Sequence, residues 1–358
     1  MTSFPGIEDV SPKTGDGVTN SDGLVARWYG GSDLRLEREP IREPQPGETL
    51  VRMIASGICG SDVHALHGDL SIWRPPIILG HEGVGVVEMM GPGLAPARVG
   101  QTVAVGPSTS CGICYNCREG EELMCTNRVA HLSGFAEYAL VPSSQLYPIA
   151  EGVSWRAGIF TEPLACVLHA ISLSDLRPGE WMGIVGGGAI GLLLLQVALK
   201  SGAKVLLSEP DAGRRALALE LGAAVVADPE TEDVAAEALR VTDGIGMDRV
   251  VEAVGSSATV SQAIQMARRG GSVVVMGVSS RDTEVSIKPF ELYARQLTLR
   301  GSFIRNFDFQ RAVRMLDRLQ LERLVTDEFD LADIHKAVEH VAAGRGVKTA
   351  IVMSKGNS

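Results

Sequence analysis

From about residue 171 onward, short apolar runs alternate with longer segments in which apolar residues recur every three or four positions. The first run is WMGIVG, and helical patterns such as IGLLLLQVALKSGA and AGRRALALELGA follow. A short apolar run bounded by turns is typical of a buried strand, and the longer spacing is typical of a helix packed by one face. Their alternation predicts an α/β domain with a doubly wound parallel sheet, which we place at residues 171–300.

The preceding part of the chain has a different pattern. Glycine and proline are frequent between residues 24 and 150, and short β-like runs lie at 49–55, 83–90 and 101–106. This pattern predicts a small, irregular β domain with long loops, which we place at residues 24–170. After residue 300 the sequence predicts two helical segments and a last strand, KTAIVM.

Residues 1–23 are polar and lack both the basic and the apolar region of a signal peptide, so we expect a flexible extension. The net charge of −10, with no basic cluster, argues against a nucleic-acid partner. No apolar stretch reaches the roughly 20 residues of a membrane helix, which argues against a membrane partner. The sequence therefore predicts a cytoplasmic protein, whose six cysteines are thiols or metal ligands.

A glycine fingerprint lies where the first strand of the α/β domain meets its helix. Gly186, Gly188 and Gly191 follow the G-x-G-x-x-G pattern. The first glycine permits a tight turn, the second allows close approach of a pyrophosphate, and the third allows the helix to pack on the strand. This context favours a dinucleotide site over a plain glycine-rich turn.

Glu209 follows the next strand, eighteen residues after Gly191. A carboxylate there binds the ribose hydroxyls and repels a 2′-phosphate, so we expect NAD rather than NADP. Arg214 and Arg215 are the opposing signal, because a guanidinium can hold that phosphate. We interpret Arg215 as the more solvated of the two.

Four cysteines lie within fifteen residues, in a lobe at about 107–128. They are Cys111, Cys114, Cys117 and Cys125. Four thiolates predict a closed structural zinc site. The alternatives are an iron–sulfur cluster, whose bacterial spacing differs, and four unrelated core cysteines, for which the spacing leaves no room.

Two further stretches, ASGICGSDVHALHG and ILGHEGVG, contribute Cys59 and His81, each next to glycine. Such a pair could bind one metal with open coordination. The stretch FTEPLACVLH places Glu162, Cys166 and His169 on one helix face. Because proline is favoured at the first helical position, we expect Glu162 to be the N-cap and the other two to pack inside.

These motifs, in this order, resemble the zinc-dependent medium-chain dehydrogenase/reductase superfamily over nearly the whole chain. The Glu-Pro-Leu at 162 is similar to the branch of polyol and sorbitol dehydrogenases. The resemblance implies a GroES-like catalytic domain, a Rossmann domain for the cofactor, and a segment 301–358 that returns to the catalytic domain. It also implies a homodimer or homotetramer, a small alcohol or ketone substrate, and two Zn²⁺ per chain, one catalytic and one structural.

The resemblance implies roles for several residues of the catalytic domain. Cys59, His81 and Glu162 would bind the catalytic zinc, with Glu82 as a mobile alternate or fourth ligand. In such enzymes zinc polarises the substrate oxygen so that hydride can pass to the nicotinamide. Ser61 would take the hydroxyl proton and relay it through the cofactor ribose to His64.

Besides the fingerprint glycines and Glu209, the resemblance implies five further residues that bind the cofactor. They are Ile190, Arg214, Val254, Val278 and Lys348, of which Arg214 would contact the adenosine ribose and Lys348 the pyrophosphate.

The predicted substrate pocket departs from the polyol pattern. Ala65 stands where the polyol enzymes often have tyrosine, and Ile304 stands where they have arginine, with Arg305 next to it. Trp73 adds an apolar side chain. Hydroxyls left unpaired against apolar walls cost about 1–3 kcal/mol each. We therefore expect a less hydroxylated secondary alcohol or a cyclic ketone.

Three alternatives stay open at this point. The first is an NADP-dependent reductase, or a cyclitol or amino-alcohol dehydrogenase, on the same scaffold. The second is a catalytically silent cofactor-binding protein, although every expected ligand is present. The third is a zinc-binding nucleic-acid module, against which the acidic charge counts.

Overall fold

The computed structural model describes residues 18–68, 73–304 and 308–353, and these residues form two compact units. The first unit contains the described residues up to Pro163 and from Phe309 onward, and the second contains Leu164–Asp308. The sequence predicts borders at 170 and 300. In the structure the first border follows Pro163, earlier than predicted, and the second follows Asp308, later than predicted.

The first unit begins with short strands separated by loops and short helices. Its strands up to residue 148 are β1 (Val18–Gly30), β2 (Asp33–Arg42), β3 (Glu48–Gly57), β4 (Ile77–Ile78), β5 (Glu82–Met90), β6 (Thr102–Val105), β7 (Ser108–Thr109), β8 (Val129–Ala130), β9 (Tyr138–Pro142) and β10 (Leu146–Pro148). Its helices up to this border are α1 (Gly60–His67), α2 (Tyr115–Arg118), α3 (Trp155–Gly158) and the start of α4 (Thr161–Ser174). The β-runs predicted at 49–55, 83–90 and 101–106 are confirmed as β3, β5 and β6.

The second unit alternates strands and helices, as the sequence predicts. In chain order its elements are β11 (Trp181–Val185), α5 (Ala189–Lys200), β12 (Lys204–Ser208), α6 (Ala212–Glu220), β13 (Val225–Ala227), α7 (Val234–Val241), β14 (Met247–Glu252), α8 (Ser257–Met266), β15 (Ala267–Val275), α9 (Pro289–Arg295) and β16 (Thr298–Gly301). The strands form one parallel sheet in the order β13-β12-β11-β14-β15-β16. The chain runs from β11 outward through β12 to β13 and then crosses to β14 on the other side of β11, so a crevice opens at the carboxyl end of β11.

The chain then returns to the first unit through α10 (Phe309–Val313), β17 (Val325–Asp330), α11 (Ile334–Ala342) and β18 (Lys348–Val352). The first helical segment predicted after residue 300 is shorter than expected, because 3₁₀ turns replace its second half. In the larger sheet of this unit, β18 lies between β17 and β3, in the order β10-β6-β5-β3-β18-β17. The last strand of the chain is thus interior to the sheet rather than at an edge.

The N-terminal extension predicted for residues 1–23 ends earlier than expected. β1 begins at Val18, and Asp22 and Gly23 already pair with Pro40 and Glu39 of β2. Residues 1–17 lie outside the described part of the chain. Within the described ranges, every helix is too short or too polar to cross a membrane.

Candidate active site and metal centres

Cys59, His81 and Glu82 meet in the first unit, although 21 residues of sequence lie between the first two. Antiparallel pairing of β3 with β5 places Gly57 opposite Glu82. Cys59 follows β3 as the N-cap of α1, and His81 directly precedes β5. The ligand atoms of all three side chains lie within 4.8 Å of one another. The strand register therefore assembles the candidate metal centre.

Asp62 orients two members of this group. Its carboxylate is fully buried and accepts hydrogen bonds from the backbone N–H of Cys59 (3.0 Å) and of Gly80 (3.3 Å). Asp62 Oδ1 also lies 3.4 Å from Nδ1 of His81. A carboxylate beside one ring nitrogen fixes a histidine so that the other nitrogen can bind metal. The other nitrogen, Nε2, lies 3.5 Å from the hydroxyl of Ser61.

The donor set and its charge both fit a zinc ion. A thiolate, an imidazole and carboxylates are the side chains that zinc prefers. Burial lowers the pKa of His81, but Asp62 and Cys59 raise it by more, so the pKa lies well above its ordinary value. A site that draws a proton onto a buried imidazole favours positive charge. A divalent cation supplies that charge.

Glu82 is held by Lys348 rather than left mobile. The Lys348 amine donates to both carboxylate oxygens of Glu82, at 2.8 and 2.6 Å, and to the carbonyl of Ile58 at 3.1 Å. Both residues are buried, with 5% and 2% of their surfaces exposed. Burial lowers the pKa of Lys348, but Glu82 and Cys59 raise it by more, so the amine stays charged. These contacts differ from the pyrophosphate contact that the resemblance implies for Lys348.

Glu162 is buried in the first turn of α4. The helix begins at Thr161, so Glu162 is the second helical residue, and the prediction that it is the N-cap is wrong by two positions. Glu162 is not part of the group whose ligand atoms lie within 4.8 Å. Its charge nevertheless helps to raise the pKa of Lys348, after the larger effects of Glu82 and Cys59. Glu162 is therefore close to the centre, and Glu82 is the carboxylate packed within it.

The predicted proton relay lies on one helix. Ser61 and His64 are three residues apart on α1, which places them on the same helix face. Ser61 is next to the candidate metal centre through its contact with His81. His64 is half-buried, so its ring is partly accessible to solvent.

The four predicted cysteines of the lobe form a second cluster, whose ligand atoms also lie within 4.8 Å of one another. The sulfur of Cys125 is 3.6 Å from that of Cys111 and 3.9 Å from that of Cys114. Thiolates about 2.3 Å from a tetrahedral zinc lie roughly 3.8 Å apart. Backbone N–H groups, first that of Cys117, lower the pKa of Cys114 to about 6, which favours the thiolate. The geometry fits a closed structural zinc site.

In the second unit, the fingerprint glycines lie at the carboxyl end of β11. Gly186 has a φ of +104°, which favours glycine, and Gly188 is the N-cap of α5. A side chain at Gly191 would run into the carbonyl of Gly186. Ile190 lies half-buried in the first turn of the same helix. Each glycine thus has the role that a phosphate-binding turn requires.

Glu209 follows β12 on the same edge of the sheet. Its carboxylate accepts hydrogen bonds from the backbone N–H of Gly187 (2.6 Å) and of Asp211 (3.0 Å). Arg214 lies 3.9 Å from that carboxylate. Arg215 is not on a solvated face, contrary to our interpretation, because it donates to the carbonyl of Glu209 and contacts Asp228. Arg214 is therefore the arginine beside the predicted ribose carboxylate.

Val254 and Val278 follow β14 and β15, and about half of each side chain is exposed. A side chain at Gly186 would lie 2.7 Å from Val254, so the valine is next to the fingerprint turn. Exposed valines at the carboxyl edge of a parallel sheet are suited to pack against a bound dinucleotide.

The residues predicted for the substrate pocket differ in their surroundings in the structure. Trp73 is buried, and the centre of its ring lies 5.5 Å from that of His81. Ala65 is fully buried within the core of the first unit rather than facing an open space. Ile304 has a φ of +41°, which is strained for a β-branched residue. Arg305 lies outside the described residues.

A recess beside His81 was not predicted. His131 and Ser133 contribute its polar side chains. Neither belongs to a recognisable motif, and their approach to His81 depends on the packing of residues 131–134 against Gly80. A polar residue soon after the cysteine lobe was the only signal in the sequence.

Comparison with known proteins agrees with the fold and with zinc as a cofactor. Residues 45–151 match the alcohol dehydrogenase GroES-like domain, and residues 189–318 match the zinc-binding dehydrogenase domain. An alcohol dehydrogenase from a Moraxella species is 33% identical over 88% of this chain and 94% of its own length. The D-xylulose reductase A of Aspergillus niger is 29% identical over 93% of this chain and 97% of its own.

A solved structure described as a zinc-binding dehydrogenase from Sinorhizobium meliloti 1021, bound to NADP, is 36% identical. It has a TM-score of 0.88 and covers 93% of this chain and all of its own. The fold is thus a GroES-like domain combined with a Rossmann domain. The chain belongs to the zinc-dependent medium-chain dehydrogenase/reductase superfamily and is similar to its polyol dehydrogenases. It is a zinc-binding oxidoreductase whose second cofactor is NAD or NADP.

Proposed function

We propose that this enzyme interconverts a secondary alcohol and its ketone with NAD(H) as the hydride carrier. One observation carries the proposal. The ligand atoms of Cys59, His81 and Glu82 lie within 4.8 Å of one another, and the hydroxyl of Ser61 lies 3.5 Å from Nε2 of His81. Such a site can hold an alcohol oxygen and accept its proton at the same point.

Cys59, His81 and Glu162 are the proposed zinc ligands, and Glu82 is the alternate. When bound there, zinc supplies a Lewis acid for the substrate oxygen. We favour Glu162 over Glu82 as the ligand because both carboxylate oxygens of Glu82 already accept hydrogen bonds from Lys348. Ser61 would accept the hydroxyl proton, and His64 on the same helix face would deliver it toward solvent.

NAD is the proposed cofactor because Glu209 presents a carboxylate at the carboxyl end of β12. Arg214 supports the alternative, an NADP-dependent reductase, and the relative from Sinorhizobium meliloti was solved with NADP. We favour NAD because Arg214 is already paired with Glu209, and a 2′-phosphate would have to displace that carboxylate.

A substrate with an apolar side is supported by Trp73, which packs its ring beside His81. The cyclitol and amino-alcohol alternatives stay predictions. So do the homodimer or homotetramer and the cytoplasmic location, the latter consistent with six cysteines of which none forms a disulfide in the described part of the chain.

The test is a screen of secondary alcohols and ketones with zinc-loaded protein, followed by the absorbance of reduced cofactor at 340 nm. NAD and NADP are supplied in separate reactions. We expect oxidation with NAD, and loss of turnover in Ser61→Ala and Cys59→Ala. No turnover on any compound with zinc bound would overturn the proposal.

A further inference from the structure

Glu252 is a fully buried carboxylate at the carboxyl end of β14. One of its oxygens, Oε1, accepts hydrogen bonds from the backbone N–H groups of Val254 (2.8 Å) and Gly255 (2.7 Å). Among the residues that the structure describes, no group donates to its other oxygen. All the hydrogen bonds that the structure gives this side chain therefore go to residues 253–255, which we call the β14 turn.

The β14 turn is joined to the turn that follows β15. The carbonyl of Glu252 accepts hydrogen bonds from the backbone N–H groups of Met276 (2.9 Å) and Gly277 (3.0 Å). A side chain at Gly255 would run into the carbonyl of Val278, and one at Gly277 would run into the backbone of Gly255. Backbone thus packs against backbone, and each turn limits the movement of the other.

The β14 turn also borders the glycine fingerprint. The backbone N–H of Ala253 donates to the carbonyl of Val185 at 2.9 Å, and a side chain at Gly186 would lie 2.7 Å from Val254. About half of Val254 is exposed at this edge of the sheet. Glu252 therefore fixes the backbone that orients an exposed valine beside the dinucleotide turn.

The strand order indicates which half of the cofactor this valine would meet. A sheet in the order β13-β12-β11-β14-β15-β16 has two halves of three strands, and a dinucleotide binds across the crevice with one nucleotide on each half. Glu209, the predicted ribose carboxylate of the adenosine side, follows β12 in the first half. The nicotinamide nucleotide then belongs beside the turns after β14 and β15.

We propose that Glu252 is a positioning residue for the nicotinamide half of the cofactor. It fixes the β14 turn so that Val254 packs against the nicotinamide nucleotide, and because Glu252 is fully buried it acts only through that turn. The inference rests on the cofactor site of the proposed function. It extends that site from the exposed residues at the edge of the sheet to a buried one beneath them.

The test compares the binding of NADH with that of ADP-ribose, which lacks only the nicotinamide ring, by isothermal titration calorimetry. In Glu252→Met two backbone N–H groups lose their acceptor, so we expect the Kd for NADH to rise by about tenfold. The Kd for ADP-ribose should change by less than about twofold, because the adenosine half binds on the other side of β11. Glu252→Gln keeps an oxygen acceptor and should restore most of the affinity for NADH.

Asp248→Leu is the matched control, at the amino end of the same strand. The carboxylate of Asp248 also accepts a hydrogen bond from a backbone N–H, that of Trp181 at 2.8 Å, and it pairs with Arg268. This variant should lower the melting temperature and leave the affinities for NADH and ADP-ribose at wild-type values, because the cofactor binds at the opposite edge of the sheet. Melting temperatures are recorded for every variant, so that lost stability is separated from lost positioning.

Val254→Ala tests the same contact without removing the buried carboxylate, in case Glu252→Met does not fold. It should also weaken binding of NADH more than binding of ADP-ribose. An unchanged ratio of the two Kd values in Val254→Ala, or an equal rise of both in folded Glu252→Met, would overturn the inference.

The titrations need no alcohol, so they are independent of the substrate screen. If the wild type binds NADPH in preference to NADH, the same comparison is made with NADPH and 2′-phospho-ADP-ribose. A wild type that binds neither dinucleotide would instead reject the proposed function and the inference with it.

Discussion

Lys348 and Glu82 form an ion pair that is shielded from water and shares its surroundings with Cys59. In such a place the two charges compensate each other, and the carbonyl of Ile58 accepts a further hydrogen bond from the amine of Lys348. Removal of one partner from a buried pair typically costs about 3–5 kcal/mol, because the other charge is left uncompensated. The pair therefore links the metal centre to the stability of the first unit.

We predict that Lys348→Met lowers the free energy of unfolding of the first unit by about 3–5 kcal/mol. Urea unfolding followed by tryptophan fluorescence measures this, because three of the four tryptophans, Trp28, Trp73 and Trp155, belong to that unit and only Trp181 belongs to the second. Lys336→Met, at an exposed lysine paired with Asp333 on the surface, is the matched control and should cost less than about 1 kcal/mol. Equal effects of the two substitutions would show that the buried pair contributes little.

Asp62 acts on the metal centre through His81 and Cys59, without being a proposed ligand. We predict that Asp62→Asn weakens zinc binding at the catalytic centre by about 10- to 100-fold, as loss of an orienting carboxylate does elsewhere. Competition with a chelator, followed by metal analysis, should show one zinc lost early and one retained. The four-cysteine lobe serves as the internal control. Release of both ions in parallel would contradict this assignment.

At the scale of elements, the proposed preference for NAD depends on the end of β12. The carboxylate of Glu209 accepts a hydrogen bond from the backbone N–H of Gly187 in the fingerprint turn, and Arg214 lies 3.9 Å from the same carboxylate. We therefore expect charge, rather than shape, to decide between NAD and NADP at this position.

We predict that Glu209→Gln raises the ratio of kcat/KM for NADP to that for NAD by about tenfold or more. The substitution removes a repulsive charge and releases Arg214 for the 2′-phosphate, and hydrogen bonds to charged groups contribute about 1.5–3 kcal/mol. Kinetics with both cofactors measure the ratio. Arg214→Gln should shift it in the opposite direction, and an unchanged ratio in both variants would refute the role of this strand end.

Elements with local signals could be predicted from the sequence. The glycine fingerprint, the alternation of β11 to α6, and the cysteine lobe each depend on residues close together in the chain. The return segment was harder to predict, because β17 has a polar, half-exposed pattern and the helix at 309 ends after a turn and a half. The pairing of Lys348 with Glu82 joins positions 266 apart, and no local pattern encodes it. His131 is similar, since its position depends on how a hairpin packs.

At the scale of the whole molecule, the two units are built differently along the chain. The second unit is continuous from Leu164 to Asp308, whereas the first needs residues from both ends. β18 pairs with β17 on one side and with β3 on the other. Its removal would expose two strand edges and delete Lys348 together with buried residues such as Ile351.

We predict that truncation after Ala343 unfolds the first unit and leaves the second folded. Circular dichroism should retain the helical signal of the second unit, and NADH fluorescence should still report cofactor binding. Zinc analysis should show loss of the catalytic ion. A truncated protein that keeps two zinc ions and native tryptophan fluorescence would contradict the interior role of β18.

The interior position of β18 also sets the order in which the protein matures during synthesis. Domains generally fold as units as they leave the ribosome. Here the unit that is encoded first must wait, because its sheet lacks an inner strand until residues 348–352 have been made. The Rossmann unit can be complete before then. Until Lys348 arrives, Cys59, His81 and Glu82 lack their compensating cation, so we expect the nascent chain to acquire its catalytic zinc last.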